Sequence, residues 1–85
     1  MNYYVYMLIA ENSKISYVGY TNNISKRILL HNSGKGAKFT RGRKWKLIYK
    51  EKFTNKSDAM KNEIFLKKNL LLRNKIKLKY FNSRK

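Results

Sequence analysis

Tyr17-Val18-Gly19-Tyr20-Thr21-Asn22-Asn23-Ile24-Ser25-Lys26-Arg27-Ile28-Leu29-Leu30-His31 changes character part-way along. Its first residues are aromatic and β-branched, as in a strand. Gly19, near the strand's end, leaves space for another backbone or a ligand to approach. Asn22, Asn23 and Ser25 are good N-cap residues, and the helix they open should end near Gly34, a residue type favoured just past a helix C-terminus. Arg27 and His31 stand four apart, one turn from each other on one face, and share a sector with Ile24 and Ile28. They therefore border the buried side and look back toward the tyrosine-bearing strand. A tyrosine, an arginine and the chain's only histidine, gathered in a basic protein, point to phosphate chemistry.

Upstream, Tyr3-Tyr4-Val5-Tyr6-Met7-Leu8-Ile9 is apolar on both sides of its alternation and reads as a central strand covered on both faces. The polar cluster Glu11-Asn12-Ser13-Lys14 turns it into a second strand over Ile15–Tyr20, making an antiparallel hairpin. Downstream, Gly34 to Lys44 is a glycine-containing loop in which Lys35, Lys38, Arg41, Arg43 and Lys44 can grip a phosphate backbone. It lacks the Gly-Lys-Ser/Thr ending of a nucleotide-binding P-loop. Trp45 to Phe53 alternates as a third strand, with Trp45, Leu47, Tyr49 and Phe53 on its buried side. Thr54, Asn55 or Ser57 caps a helix over about Ser57–Asn69, with Asp58 in its first turn as the helix dipole favours. Beyond Leu72, Arg73 to Tyr80 suits either a short helix or a strand, and Asn82 to Lys85 reads as a frayed basic tail.

Eighty-five residues make one domain, 1–85, near the size at which a core stabilises a fold without staples. Cysteine is absent, which excludes disulfides, thiolate metal sites and a thiol nucleophile. The apolar start follows no basic region, and no apolar run approaches the roughly 20 residues that span a bilayer, so a cytoplasmic protein without a membrane span is expected. Lys and Arg number 21 against four acidic residues, a formal charge of +17. Such self-repulsion is relieved by a polyanion, nucleic acid before an anionic membrane surface.

One acidic residue stands out. On the second helix Ala59, Met60, Ile64, Leu66 and Leu70 form an apolar stripe with Glu63 at its centre. A carboxylate there needs an ion pair from another element, a divalent cation, or a place on a cleft floor. Phosphodiester hydrolysis needs charge stabilisation, which the Arg27 fork suits, and a base, for which a tyrosine or His31 serves. Glu63 can hold one Mg2+, which takes few protein carboxylates and keeps its waters for substrate phosphates. A single inward carboxylate does not support a two-metal site, nor one histidine a zinc site.

These residues resemble the GIY-YIG nuclease domain: Tyr4-Val5-Tyr6, then Tyr17-Val18-Gly19, then Arg27, His31 and a helical Glu63. The run from Tyr17 through His31-Asn32-Ser33-Gly34-Lys35-Gly36-Ala37-Lys38-Phe39-Thr40 is similar to the small stand-alone bacterial branch, and to the catalytic domain of the structure-specific subunit that cuts branched DNA. The resemblance covers about residues 3 to 75. It implies an α/β fold of the α+β type, a three-stranded antiparallel sheet flanked by helices. It also implies hydrolysis of DNA, single-stranded or branched, with one Mg2+ or Mn2+ ion. By the same resemblance Tyr6 and Tyr17 lie beside the scissile phosphate, with Tyr6 as the base. Arg27 stabilises the transition state, His31 assists the proton, and Glu63 binds the metal. Tyr4 stands where the family motif has glycine, and a late family asparagine has only Asn69 or Asn74 as counterparts. The alternatives are a non-catalytic nucleic-acid-binding module of the same fold, or a catalytic module whose specificity comes from a partner protein.

Overall fold

A computed structural model describes residues 1–83. Its sheet has three strands in the order β2-β1-β3, with β1 spanning Tyr3–Ala10, β2 Ser16–Thr21 and β3 Trp45–Phe53. Both pairings are antiparallel, so β1 is central, as its two apolar faces require. Val5, Tyr6, Met7, Leu8, Ile9 and Ala10 are all buried. At about 1.5–3 kcal/mol for each large apolar side chain withdrawn from water, this strand anchors the fold. The β1–β2 turn places Asn12 at φ 61, a conformation that asparagine tolerates better than most residues.

Helix α1, Ile24–Asn32, lays Ile24 and Ile28 against Tyr6, Leu8, Ala10 and Trp45 on one face of the sheet. Asn23 caps it, accepting from the Lys26 amide at 3.1 Å. At its other end the Lys35 amide donates to Leu30 O and the Gly34 amide to His31 O, with Gly34 at φ +80. Helices α2, Lys56–Lys68, and α3, Leu70–Ser83, serve the opposite face. There Val5, Met7, Val18, Ala59 and Leu66 pack with Leu72 and Ile76 around them.

Three expectations are corrected. The buried face of β3 does not run straight from Trp45 to Phe53. Met7 pairs with Tyr49 but Leu8 with Leu47, so Ile48 is an extra residue in a bulge. Trp45 and Leu47 therefore join the α1 side, while Ile48, Tyr49 and Phe53 join the α2–α3 side. The stripe on α2 is narrower than the wheel suggests. Ala59 and Leu66 meet the sheet, but Met60 is 41 %, Ile64 50 % and Leu70 58 % exposed. Only the seam of side chains along the line of contact is covered; Met60 and Ile64 flank it, and Leu70 lies beyond α2 as the first residue of α3. The segment after Leu72 is helical, and Asn82 and Ser83 belong to α3 instead of a frayed tail. Arg84 and Lys85, the remainder of that expected tail, lie outside the described residues. Among the described residues no helix is long and apolar enough to cross a membrane.

Candidate active site

The site forms where α1 crosses the hairpin. Tyr6 pairs with Gly19 across β1 and β2. The missing side chain admits the Tyr6 ring: a Cβ at Gly19 would lie 2.6 Å from the Tyr6 hydroxyl oxygen. That hydroxyl is 2.8 Å from His31 Nε2, and His31 Nδ1 is 2.9 Å from Thr40 Oγ1. The Thr40 hydroxyl donates its single proton to Ala37 O at 2.8 Å. Thr40 therefore accepts from Nδ1–H, which leaves Nε2 bare to accept from the Tyr6 O–H. The network assigns one tautomer of a neutral imidazole.

Burial explains why the imidazole is neutral. His31 and Thr40 have no exposed surface, and desolvation, followed by the nearby Arg27 charge, lowers the His31 pKa. Burial pushes the Tyr6 phenol up to about 12, outweighing the opposing hydrogen bond from Arg27. Arg27 interacts with Tyr6 first and Tyr17 second, and these contacts hold its guanidinium more firmly protonated. Tyr17 packs tilted beside the pair, its ring centroid 4.9 Å from that of His31 and 6.4 Å from that of Tyr6. What meets solvent is thus Tyr17 and Arg27, with Tyr6 and His31 behind them.

Glu63 arrives from the other side of the sheet. It lies on the Ala59–Leu66 seam of α2, its side chain 16 % exposed. The ion pair expected from another element is made one turn along the same helix, with Lys67 at 3.7 Å. Its charge reaches the Tyr6 phenol as the weakest of the influences on that group. Among the described residues no cluster of three or more His, Asp or Glu side chains surrounds a metal position. The donor set is one carboxylate, which suits a hydrated Mg2+ that takes its other ligands from water and substrate phosphate.

The basic loop places Lys35, Lys38, Arg41, Arg43 and Lys44 in solvent, none of them drawn into the cluster. Asn69 is committed to structure: it ends α2, and its Oδ1 accepts from the Leu72 amide at 3.0 Å. Asn74 is exposed on α3. Sequence reading missed three positions in this loop region. Thr40 fixes the histidine tautomer. Gly36 seats the ring, since a Cβ there would stand 2.4 Å from His31 Nδ1. Asn32 ties the loop's far end, accepting from the Trp45 amide at 2.6 Å, while Trp45 Nε1 donates to Thr40 O at 2.8 Å. In the sequence all three stood only within the run that resembles the family, with no role attached to them.

Comparison with known proteins supplies the family. The model of the GIY-YIG catalytic domain matches residues 2–77. This chain is a GIY-YIG protein. Its relatives include UPF0213 protein OB0043 of Oceanobacillus iheyensis, 47 % identical over 66 residues that cover 76 % of each chain. UPF0213 protein YsiG of Lactococcus lactis is 42 % identical over 79 residues, 92 % of this chain and 76 % of that one. The solution NMR structure of UPF0213 protein BH0048 from Bacillus halodurans is 37 % identical, with a TM-score of 0.54, covering 94 % of this chain and 85 % of that one. The GIY-YIG chain thus shares its α+β fold with the small bacterial UPF0213 proteins, and its family implies endonuclease-type chemistry dependent on a divalent metal, with DNA as substrate.

Proposed function

We propose that the protein is a metal-dependent DNA endonuclease acting on single-stranded or branched DNA. The observation that carries this reading is the buried chain Tyr6 O–H to His31 Nε2, His31 Nδ1–H to Thr40, with Arg27 on the phenol. A phenol with a pKa of about 12 is a weak base unless its own proton has somewhere to go. Here His31 Nε2 receives it. As Tyr6 takes a proton from water, its hydroxyl proton passes to the imidazole, and hydroxide attacks phosphorus. One P–O ester bond breaks, the leaving oxygen takes a proton from solvent, and the imidazolium returns its proton through the Tyr6 hydroxyl to solvent, restoring neutral His31.

Arg27 has two positions to serve. In the free protein its charge acts on the Tyr6 and Tyr17 phenols, which hold it more firmly protonated. A phosphodiester offers charged oxygens that match the guanidinium fork better than neutral phenols do. The scissile phosphate therefore draws Arg27 outward, uncovering Tyr6 and placing the cation on the charge that develops. Tyr17, at the surface, positions the phosphate. Glu63 would hold the Mg2+ or Mn2+ ion, which supplies Lewis-acid stabilisation of the phosphoryl oxygens. Lys35, Lys38, Arg41, Arg43 and Lys44 hold flanking backbone through charge, reading shape rather than sequence.

The test is cleavage of labelled single strand, duplex, flap and four-way junction by wild type and Glu63→Gln, with Mg2+, Mn2+ or chelator. Metal-dependent cutting that the variant loses while still binding DNA supports the reading. Cutting that persists in chelator and in Glu63→Gln contradicts it. Tight, salt-sensitive binding with no cutting on any substrate favours the non-catalytic module.

A further inference from the structure

Outside the Tyr6–His31 cluster, a groove runs along the β2 edge to the α2–α3 pair. Tyr17 and Phe39 form one wall, and Lys67, Arg73 and Lys77 the other. Tyr17 belongs to both the groove and the site. Phe39 is 58 % exposed, although its inner side is held by two rings: Tyr17 at 6.2 Å, stacked at 25°, and buried Trp45 at 6.2 Å. A loop of lysines and arginines therefore presents one braced aromatic face to water, joined through Tyr17 to the rings of the site. A scattered exposed apolar residue is unremarkable by itself. This one is held in place and faces three cations.

Among the described residues no acidic side chain lines the groove, and the one carboxylate that reaches its cations is Glu63, 3.7 Å from Lys67. Arg73 is fixed by donating to the Leu66 and Lys67 carbonyls at the C-terminus of α2. Partial burial and then the Arg73 charge lower the Lys77 pKa, as expected for an ammonium crowded by a cation. An aromatic face opposite a cationic wall is the arrangement that takes a base and its phosphate together.

We propose that this groove is a nucleotide subsite: the base beside the cut stacks on the open face of Phe39, and its flanking phosphate lies against Lys67 and Lys77. The assignment rests on reading the Tyr6–His31–Arg27 cluster as the phosphodiesterase centre. Within a duplex both faces of a base are already stacked, so Phe39 is available only to an unpaired nucleotide. The subsite thus selects single-stranded or frayed DNA over continuous duplex.

The experiment measures anisotropy of an end-labelled oligothymidylate and of a blunt duplex in chelator, so that binding is read without turnover. Phe39→Ala should weaken the single strand about tenfold, within the range expected for one stacked base, and leave duplex affinity within about twofold. Phe39→Trp should restore single-strand affinity, which separates stacking from loss of the loop. Lys77→Gln should weaken binding and lower the salt slope by about 0.7, one phosphate's worth. Equal losses on single strand and duplex, or no loss in Phe39→Ala, overturn the subsite. If wild type cuts with metal yet Phe39→Ala binds normally, the subsite falls and the nuclease stands. If wild type cuts nothing but Phe39→Ala loses single-strand binding, the stacking site stands and the catalytic reading falls.

Discussion

Replacing Thr40 by valine tests the hydrogen-bond chain at its least visible link. The two side chains are nearly isosteric, so packing is preserved while the acceptor for His31 Nδ1–H disappears. Thr40 and His31 are fully buried, and water cannot stand in. With the proton still on Nδ1, that donor is orphaned. With the proton moved to Nε2, that N–H donates to the Tyr6 oxygen, and the Tyr6 hydroxyl proton loses its acceptor instead. Either way one buried donor goes unpaired, at a cost of about 1–3 kcal/mol. In a domain this small each kcal/mol moves Tm by about 4–8 °C, so a fall of about 4–24 °C is expected. If the wrong tautomer becomes favoured by about 1.4 kcal/mol, the competent fraction falls tenfold, and single-turnover cleavage falls with it. Thr40→Ser retains the hydroxyl and serves as the control. The assays are thermal unfolding, the imidazole nitrogen NMR shifts that report the tautomer, and single-turnover cleavage. A Thr40→Val protein matching Thr40→Ser in all three would refute the reasoning.

Gly36→Ala should lower stability by about 1–3 kcal/mol by overpacking, because its Cβ would meet His31 Nδ1 at 2.4 Å. It should also reduce cleavage more than Gly42→Ala, which strains a backbone at φ +77 but strikes no neighbour; equal activity in the two variants would remove the seating role. Acid should act at two separate points. His31, the only histidine, has a folded pKa lowered below 6.5 by burial and then by Arg27, so the unfolded chain takes up its proton first. Stability should therefore hold above about pH 6.5, decline as pH falls below it, and level off once the folded pKa is passed, a slope that His31→Gln abolishes. Cleavage, which needs a neutral imidazole in the native state, should fail only at the lower pH.

The sheet was legible because β1 is apolar on both faces and β2 follows a polar turn at once, leaving one plausible hairpin. The Ile48 bulge was not, since two apolar neighbours in a strand do not announce which face each takes. On α2 a helical wheel counted Met60, Ile64 and Leu70 with Ala59 and Leu66, but contact with a sheet covers only a seam. Lysine at alternate positions after Leu72 imitated a strand in what is a helix. In the site, Arg27 and His31 were readable because helix spacing fixes their common face, and Tyr6 because it lies on the central strand. Thr40 and Gly36 reach His31 through a loop whose path no periodicity describes. Phe39 was visible only as an aromatic in a basic run, its orientation being set by Tyr17 and Trp45.

The central claim is that Tyr6, relayed through His31, is the base of a phosphodiesterase. Tyr6→Phe removes one oxygen and keeps the ring over Gly19, so it tests this claim most directly in single-turnover cleavage of a labelled single strand with Mg2+. The account predicts a rate at least about 100-fold lower, with strand affinity in chelator within about twofold of wild type. A Tyr6→Phe protein that cuts within about threefold of the wild-type rate would contradict it.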